Sequence, residues 1–167
     1  MMLTKFTHAC VRLEKDGNVL VFDPGNFSET GLALAGADAV LITHEHPDHI
    51  DVDAVAAALL ADDALQLFAP AGVAAQMREN APDAGQRIHT VAPGEDFETA
   101  GFSIRTFGGQ HAVIHPQIPV VANIGYFVDS NVYHPGDSFI VPDGVSVQTL
   151  LVQSTRPGTR WGRWSIL

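Results

Sequence analysis

A single cysteine, Cys10, leaves the chain without an internal disulfide, which excludes the class of small stapled scaffolds and points to a reducing compartment, the cytoplasm. Cations are also scarce: 9 Lys and Arg stand against 19 Asp and Glu, for a formal charge of -10. Nucleic acid and anionic membranes would repel such a chain, so neither is expected as a partner. No apolar run approaches the ~20 residues that a bilayer span requires, because acids interrupt each one. Residues 1–7 lack the charged, then apolar, then small-residue order of an export signal. Gly-x-Ser-x-Gly is missing, and Cys10 has no activating neighbour in sequence, which argues against a serine or cysteine nucleophile.

What is present is the composition of one folded domain. The 167 residues are long enough to bury a core, and 46% hydrophobic with 17% charged residues excludes both disorder and a fibrous repeat. Two β-prone runs, 3–13 and 18–22, meet at Lys15-Asp16-Gly17, a hairpin turn signal. Asp23-Pro24-Gly25 stops the second run. Residues 39–42 form a short buried strand that runs into a polar loop at 43–51. Asp53 caps a helix through Val55, Leu59 and Leu60, and a strand at 65–69 precedes a helix at 71–80. Thereafter β runs at 88–91, 102–107, 123–128 and 147–152 alternate with Gly, Pro and Asp turns, so the expected class is mixed α/β (α+β). No internal repeat is visible.

The chemistry is concentrated in Thr43-His44-Glu45-His46-Pro47-Asp48-His49, three imidazoles and the Asp48 carboxylate, with Glu45 beside them, in one loop directly after a buried strand. Neutral imidazole and carboxylate are ligands for borderline metals such as zinc, whereas calcium takes oxygens and structural zinc usually takes thiolates. Alternate residues of an extended segment point opposite ways, so His44 and His46 can share one ion only if the loop curls, which Pro47 favours. Glu45 reads as a surface carboxylate.

His44, His46, Asp48 and His49 match in full the His-x-His-x-Asp-His signature of the metallo-β-lactamase superfamily, which the chain resembles from the opening hairpin through Asp23-Pro24 to Tyr133-His134-Pro135-Gly136-Asp137-Ser138. It looks closest to small bacterial metal-dependent hydrolases of the ascorbate-6-phosphate lactonase-like branch. The resemblance implies an αββα sandwich with a dinuclear site at one edge. His44, His46 and a downstream histidine would hold one ion, Asp48 and His49 a second, and Asp137 would bridge them. His111, after Gly108-Gly109, suits the downstream position better than His115. Asp48 and Asp137 are the expected catalytic residues. His8 and His115 are expected behind the ligands or against substrate, His89 and His134 as surface or packing residues, and Cys10 as a buried small hydrophobe.

The resemblance further implies a metal-dependent hydrolase whose metal-bound hydroxide attacks an ester, lactone, amide or phosphoester bond of a small molecule. Two divalent ions are expected, zinc first, with manganese or iron as alternatives. Family members continue through a further strand, helix and strand that supply a last histidine. Here residues 1–152 form the family-like domain, while 153–167 carry both tryptophans and three arginines and are read as a non-family tail, consistent with a frameshift. On that reading the second ion is weakly held or absent, a sheet edge is bare and open to homo-oligomer formation, and the alternative function is a metal-binding but inactive chain.

Overall fold

A computed structural model describes residues 1–154 and 163–166. Two six-stranded sheets lie face to face. The first has β1 (Met2–Lys5), β2 (Val11–Lys15), β3 (Asn18–Phe22), β4 (Ala39–Leu41), β5 (Gln66–Ala69) and β6 (Ile88–Thr90), in that spatial order. β1, β2 and β3 pair antiparallel, and β3 through β6 pair parallel. The second sheet runs β7 (Asp96–Thr99), β8 (Phe102–Gly108), β9 (Ile124–Val128), β10 (Val132–His134), β11 (Thr149–Ser154) and β12 (Arg163–Ile166). The β10–β11 pair is parallel and the others are antiparallel.

Alternation in the strands sets the layers. Val11 and Leu13 of β2, Leu20 and Phe22 of β3, and Leu41 of β4 face Phe102, Ile104, Tyr126 and Val128 of the second sheet in one apolar core. Each such fully buried side chain contributes about 1.5–3 kcal/mol. The opposite face of the first sheet, with Val19, Val21, Val40 and Leu67, is covered by α1 (Thr30–Ala33), α2 (Val52–Ala61) and α3 (Ala71–Asn80) through Ala33, Val55, Leu59, Val73 and Met77. Among the described residues the helices lie on that side alone, so three of the four layers of the expected sandwich are present. No helix among them is long and apolar enough to cross a membrane.

Asp16 and Gly17 both take positive φ, 53° and 86°, as the expected β2–β3 turn requires. The cap of α2 differs from expectation: Asp51, not Asp53, accepts from the Ala54 N–H at 3.0 Å, and Asp53 lies in the first turn, where its charge suits the helix dipole. The run at 3–13 is two strands separated by a turn that contains His8. β7, β10 and α1 were not expected. The reading of 153–167 as a non-family tail falls mostly outside the described residues, 155–162 and 167 among them. Arg163–Ile166 pairs antiparallel with β11.

One close approach fixes the loop between β4 and α2. Gly25 packs against it so tightly that a Cβ there would sit 1.9 Å from the Asp48 carbonyl oxygen and 2.6 Å from the His49 nitrogen. Gly31, in α1, has open space where its Cβ would be. The same substitution should therefore have opposite signs: Gly25→Ala lowers unfolding stability by about 1–3 kcal/mol or more through overpacking, while Gly31→Ala raises it by about 0.4–1 kcal/mol. Denaturant midpoints of the two variants check this, and equal effects would contradict the packing described.

Candidate metal centre

The loop at 43–51 curls. His49 and Ile50 N–H groups both donate to the His46 carbonyl, at 2.9 and 3.1 Å. Asn26 N–H donates to the Pro47 carbonyl at 2.8 Å, and Asp51 N–H to the Pro24 carbonyl at 2.9 Å, so the Pro24-Gly25 segment clamps the loop from outside. The turn brings His44 and His46 together, with Nε2 of the first 3.1 Å from Nδ1 of the second.

His111 and Asp137 arrive from the other sheet. Gly108 and Gly109, at φ 100° and 141°, turn the chain out of β8 to deliver His111, and its ring centroid lies 4.8 Å from those of both His44 and His46. Gly136, at φ 60°, follows β10, and a Cβ there would meet Thr43 and Asn123 within 3 Å. Asn123 holds this turn by donating from Nδ2 to the Pro135 carbonyl (2.8 Å) and accepting from the Asp137 N–H (3.0 Å). The Ala112 N–H donates to the Asp137 carbonyl at 2.7 Å, which locks the two incoming loops to each other.

Three overlapping groups have donor atoms within 4.8 Å of one another: His44, His46 and His111; His8, Asp48 and His49; and His44, His49 and Asp137. Asp137 stands between the first two, with Oδ1 3.3 Å from His49 Nε2 and Oδ2 3.5 Å from His111 Nε2. The imidazoles are oriented from behind. Asp23, fully buried, accepts from the Thr43 N–H (2.8 Å), the Thr43 hydroxyl (2.7 Å) and His49 Nδ1 (2.7 Å). Thr43 Oγ1 lies 2.9 Å from His44 Nδ1, and His111 Nδ1 donates to the Ala112 carbonyl at 2.6 Å. Each contact occupies Nδ1 and turns Nε2 toward the centre, as in carboxylate–histidine–metal relays.

The electrostatics suit a cation. Burial, reinforced by His49, pushes His44 down to about 2, so it is a neutral imidazole, the ligand form. Burial and His111 also lower His46. For His49 burial acts downward, but Asp23 and Asp137 outweigh it and raise the imidazole to about 10. Asp48 lies well below the usual carboxylate range because of its contact with His8, and Asp137 is lowered by His49 and the surrounding imidazoles against the opposing effect of burial. Without metal, a proton on His49 thus neutralises carboxylates that a divalent ion would otherwise meet. His111 Nε2 is buried and makes no hydrogen bond, the condition of a ligand atom rather than of a packed histidine. An all-nitrogen and oxygen set of this kind fits a borderline divalent metal.

The remaining sequence assignments divide. His115 is exposed, its Nδ1 accepts the Gln117 N–H at 3.2 Å, and among the described residues it joins none of the three groups. Glu45 is exposed, and Cys10 is buried, its thiol pushed up to about 12 by burial. His89 packs on Phe68 at 4.6 Å. Of the two readings offered for His134, packing holds: wholly buried, it stacks on Phe22, its Nε2 3.0 Å from the Ala9 carbonyl, and its Nδ1 accepts from the Gly136 N–H at 3.2 Å. Sequence reasoning missed Asp23, Thr43 and Asn123 as scaffolding. The available signal was a carboxylate immediately after an apolar strand, which was read only as a strand stop.

Residues 2–149 match the family model described as the beta-lactamase superfamily domain. Protein Rv0786c of Mycobacterium tuberculosis is 40% identical over 162 residues, which cover 94% of this chain and 73% of that protein. Igni18, a metallo hydrolase from the archaeon Ignicoccus hospitalis, is similar at TM-score 0.56 and 22% identity, covering 81% of this chain and 60% of its own. The isothiocyanate hydrolase from Delia radicum gut bacteria gives 0.56 and 21%, covering 83% and 64%. The metallo-beta-lactamase fold protein YhfI of Bacillus subtilis gives 0.57 and 19%, covering 81% and 56%. This chain spans about 60% of the length of these solved structures.

The opposed histidine shifts set a stability optimum in the metal-free protein. His44 is depressed from 6.5 to about 2, so as pH falls below 6.5 the unfolded chain takes up its proton first and stability declines. His49 is raised from 6.5 to about 10, so its contribution is complete below 6.5 and is lost as pH rises through about 10. Chelator-treated protein should show its highest denaturation midpoint near pH ~6.5, lower at both ~5 and ~9. A midpoint still climbing at the alkaline end would contradict the protonated His49.

Proposed function

The chain belongs to the beta-lactamase superfamily, and we propose that it is a metal-dependent hydrolase acting on an ester, lactone, amide or phosphoester bond of a small-molecule substrate. The observation that carries this reading is the convergence of His44, His46 and His111 from two different sheets, with a buried His111 Nε2 left for a ligand role. These three would hold one divalent ion, Asp48 and His49 a second, and Asp137 would face both. Zinc is the first choice for the donor set, with manganese or iron as alternatives. Similar proteins that include a metallo hydrolase and an isothiocyanate hydrolase support hydrolysis as the reaction class.

When bound, such ions supply Lewis acidity toward a substrate oxygen and bring the pKa of water toward ~7. The protein's own contribution is geometry and proton placement. Asp23, Thr43 and the Ala112 carbonyl fix which nitrogen of His49, His44 and His111 faces the site, so none of these three has to reorient. Asp48 and Asp137, both held as carboxylates at neutral pH, can accept a proton at the side-chain oxygens that face the centre.

Purified protein should hydrolyse at least one generic substrate among p-nitrophenyl esters, bis(p-nitrophenyl) phosphate and simple lactones. A chelator should abolish that activity and added Zn²⁺, Mn²⁺ or Fe²⁺ restore it. Asp137→Asn should cut kcat by about 10²-fold or more with the fold intact by circular dichroism. Hydrolysis untouched by chelation and by this substitution would refute the reading, and metal uptake without turnover of any of these bonds would leave the chain a metal-binding protein only.

A further inference from the structure

The N-terminal turn carries an imidazole that the signature loop does not account for. His8 lies between β1 and β2, its side chain 9% exposed, with Nε2 2.9 Å from Asp48 Oδ2. That approach is not aligned as a hydrogen bond. The His8 ring stands T-shaped to that of His49, centroids 5.3 Å apart at 85°. Donor atoms of His8, Asp48 and His49 all lie within 4.8 Å of one another. Three donors of ligand type around one point, with a carboxylate and an imidazole too close for indifference yet misaligned for a hydrogen bond, is the arrangement a cation organises.

The backbone is built to keep His8 there. Its φ is 56°, a left-handed conformation that costs a residue with a Cβ and persists only where the surroundings enforce it. Lys5 Nζ donates to the His8 carbonyl, and His134 Nε2 to the next carbonyl, that of Ala9, at 3.0 Å. Thr7 donates from its N–H (3.0 Å) and its hydroxyl (2.7 Å) to Glu29. Phe27 sets the edge of the ring, centroids 5.6 Å apart. A histidine held so firmly in an unfavoured conformation serves a positional requirement rather than chain packing.

We propose that His8 is a metal ligand, which would form a second cation site with Asp48 and His49. This rests on the reading of the cluster as a metal centre and changes the role of His8 from a residue behind the ligands to a ligand itself. The second ion is then held by donors from the first β-turn and the histidine loop together.

The test uses the full chain, stripped with chelator and titrated with Co²⁺ followed by visible absorption, alongside elemental analysis of Zn²⁺-loaded protein after gel filtration. Wild type should bind two ions. His8→Gly, which relieves the left-handed backbone and so preserves the fold, should keep one ion and bind the second at least about 100-fold more weakly, beyond the 10–100-fold typical of outer-shell losses. Added imidazole should restore the second ion to this variant. His8→Gln retains an amide that can hydrogen-bond Asp48 but is a poor zinc ligand, so it should also lose the second ion. Retention of both ions at wild-type affinity by either variant overturns the proposal, as does a wild type that binds one ion. A wild type that binds none overturns the metal-centre reading as well, which separates the two failures.

Discussion

Asp23 is a carboxylate with no solvent exposure, and such a group is tolerable in a core only when donors surround it. Its donors come from the loop that carries the histidines: the Thr43 backbone and hydroxyl, and the Nδ1 of His49. Loss of this anchor would leave a buried carboxylate unpaired, free the start of the loop and let the His49 ring rotate. The anchor reaches further, because Thr43 also contacts His44, and its carbonyl accepts the Ile124 N–H at 2.9 Å to join the two sheets at the site.

The sandwich turns this local anchor into a three-dimensional site. His8 follows β1, Asp23 follows β3 and the histidine loop follows β4, three strands that share one direction in the first sheet. His111 follows β8 and Asp137 follows β10, which share one direction in the second. Each of these side chains therefore leaves the carboxyl end of a strand at one rim, where backbone no longer paired in a ladder is free to turn. Glycines at 25, 108 and 136 sit where these exits crowd one another, and the apolar core between the sheets sets how far apart they stand.

The parts of this arrangement that were legible in sequence are those with a local signature. Asp16-Gly17 announces its turn, residues 18–22 and 71–80 carry unbroken local preference, and three histidines in six positions announce a site. β7 escaped because Asp96 and Glu98 make an edge strand polar, and the β9–β10 turn escaped because Asp129 and Ser130 adopt positive φ, 49° and 53°, with no glycine to mark them. Asp23 and Asn123 could not be assigned, since their roles lie in contacts to residues 20 and 12 positions away that exist only once the strands have paired. Asp51 displaced Asp53 as the helix cap because the chain between Pro24 and Asp51 is pinned by a backbone hydrogen bond that fixes where the helix begins.

Anomalous diffraction at the zinc edge from crystals of metal-loaded protein addresses the central claim most directly, because it locates the ion without reference to activity. The account predicts a peak about 2.0–2.1 Å from one nitrogen each of His44, His46 and His111. Zinc bound elsewhere with those three imidazoles turned apart, or no peak at the rim where the two sheets meet, would contradict it.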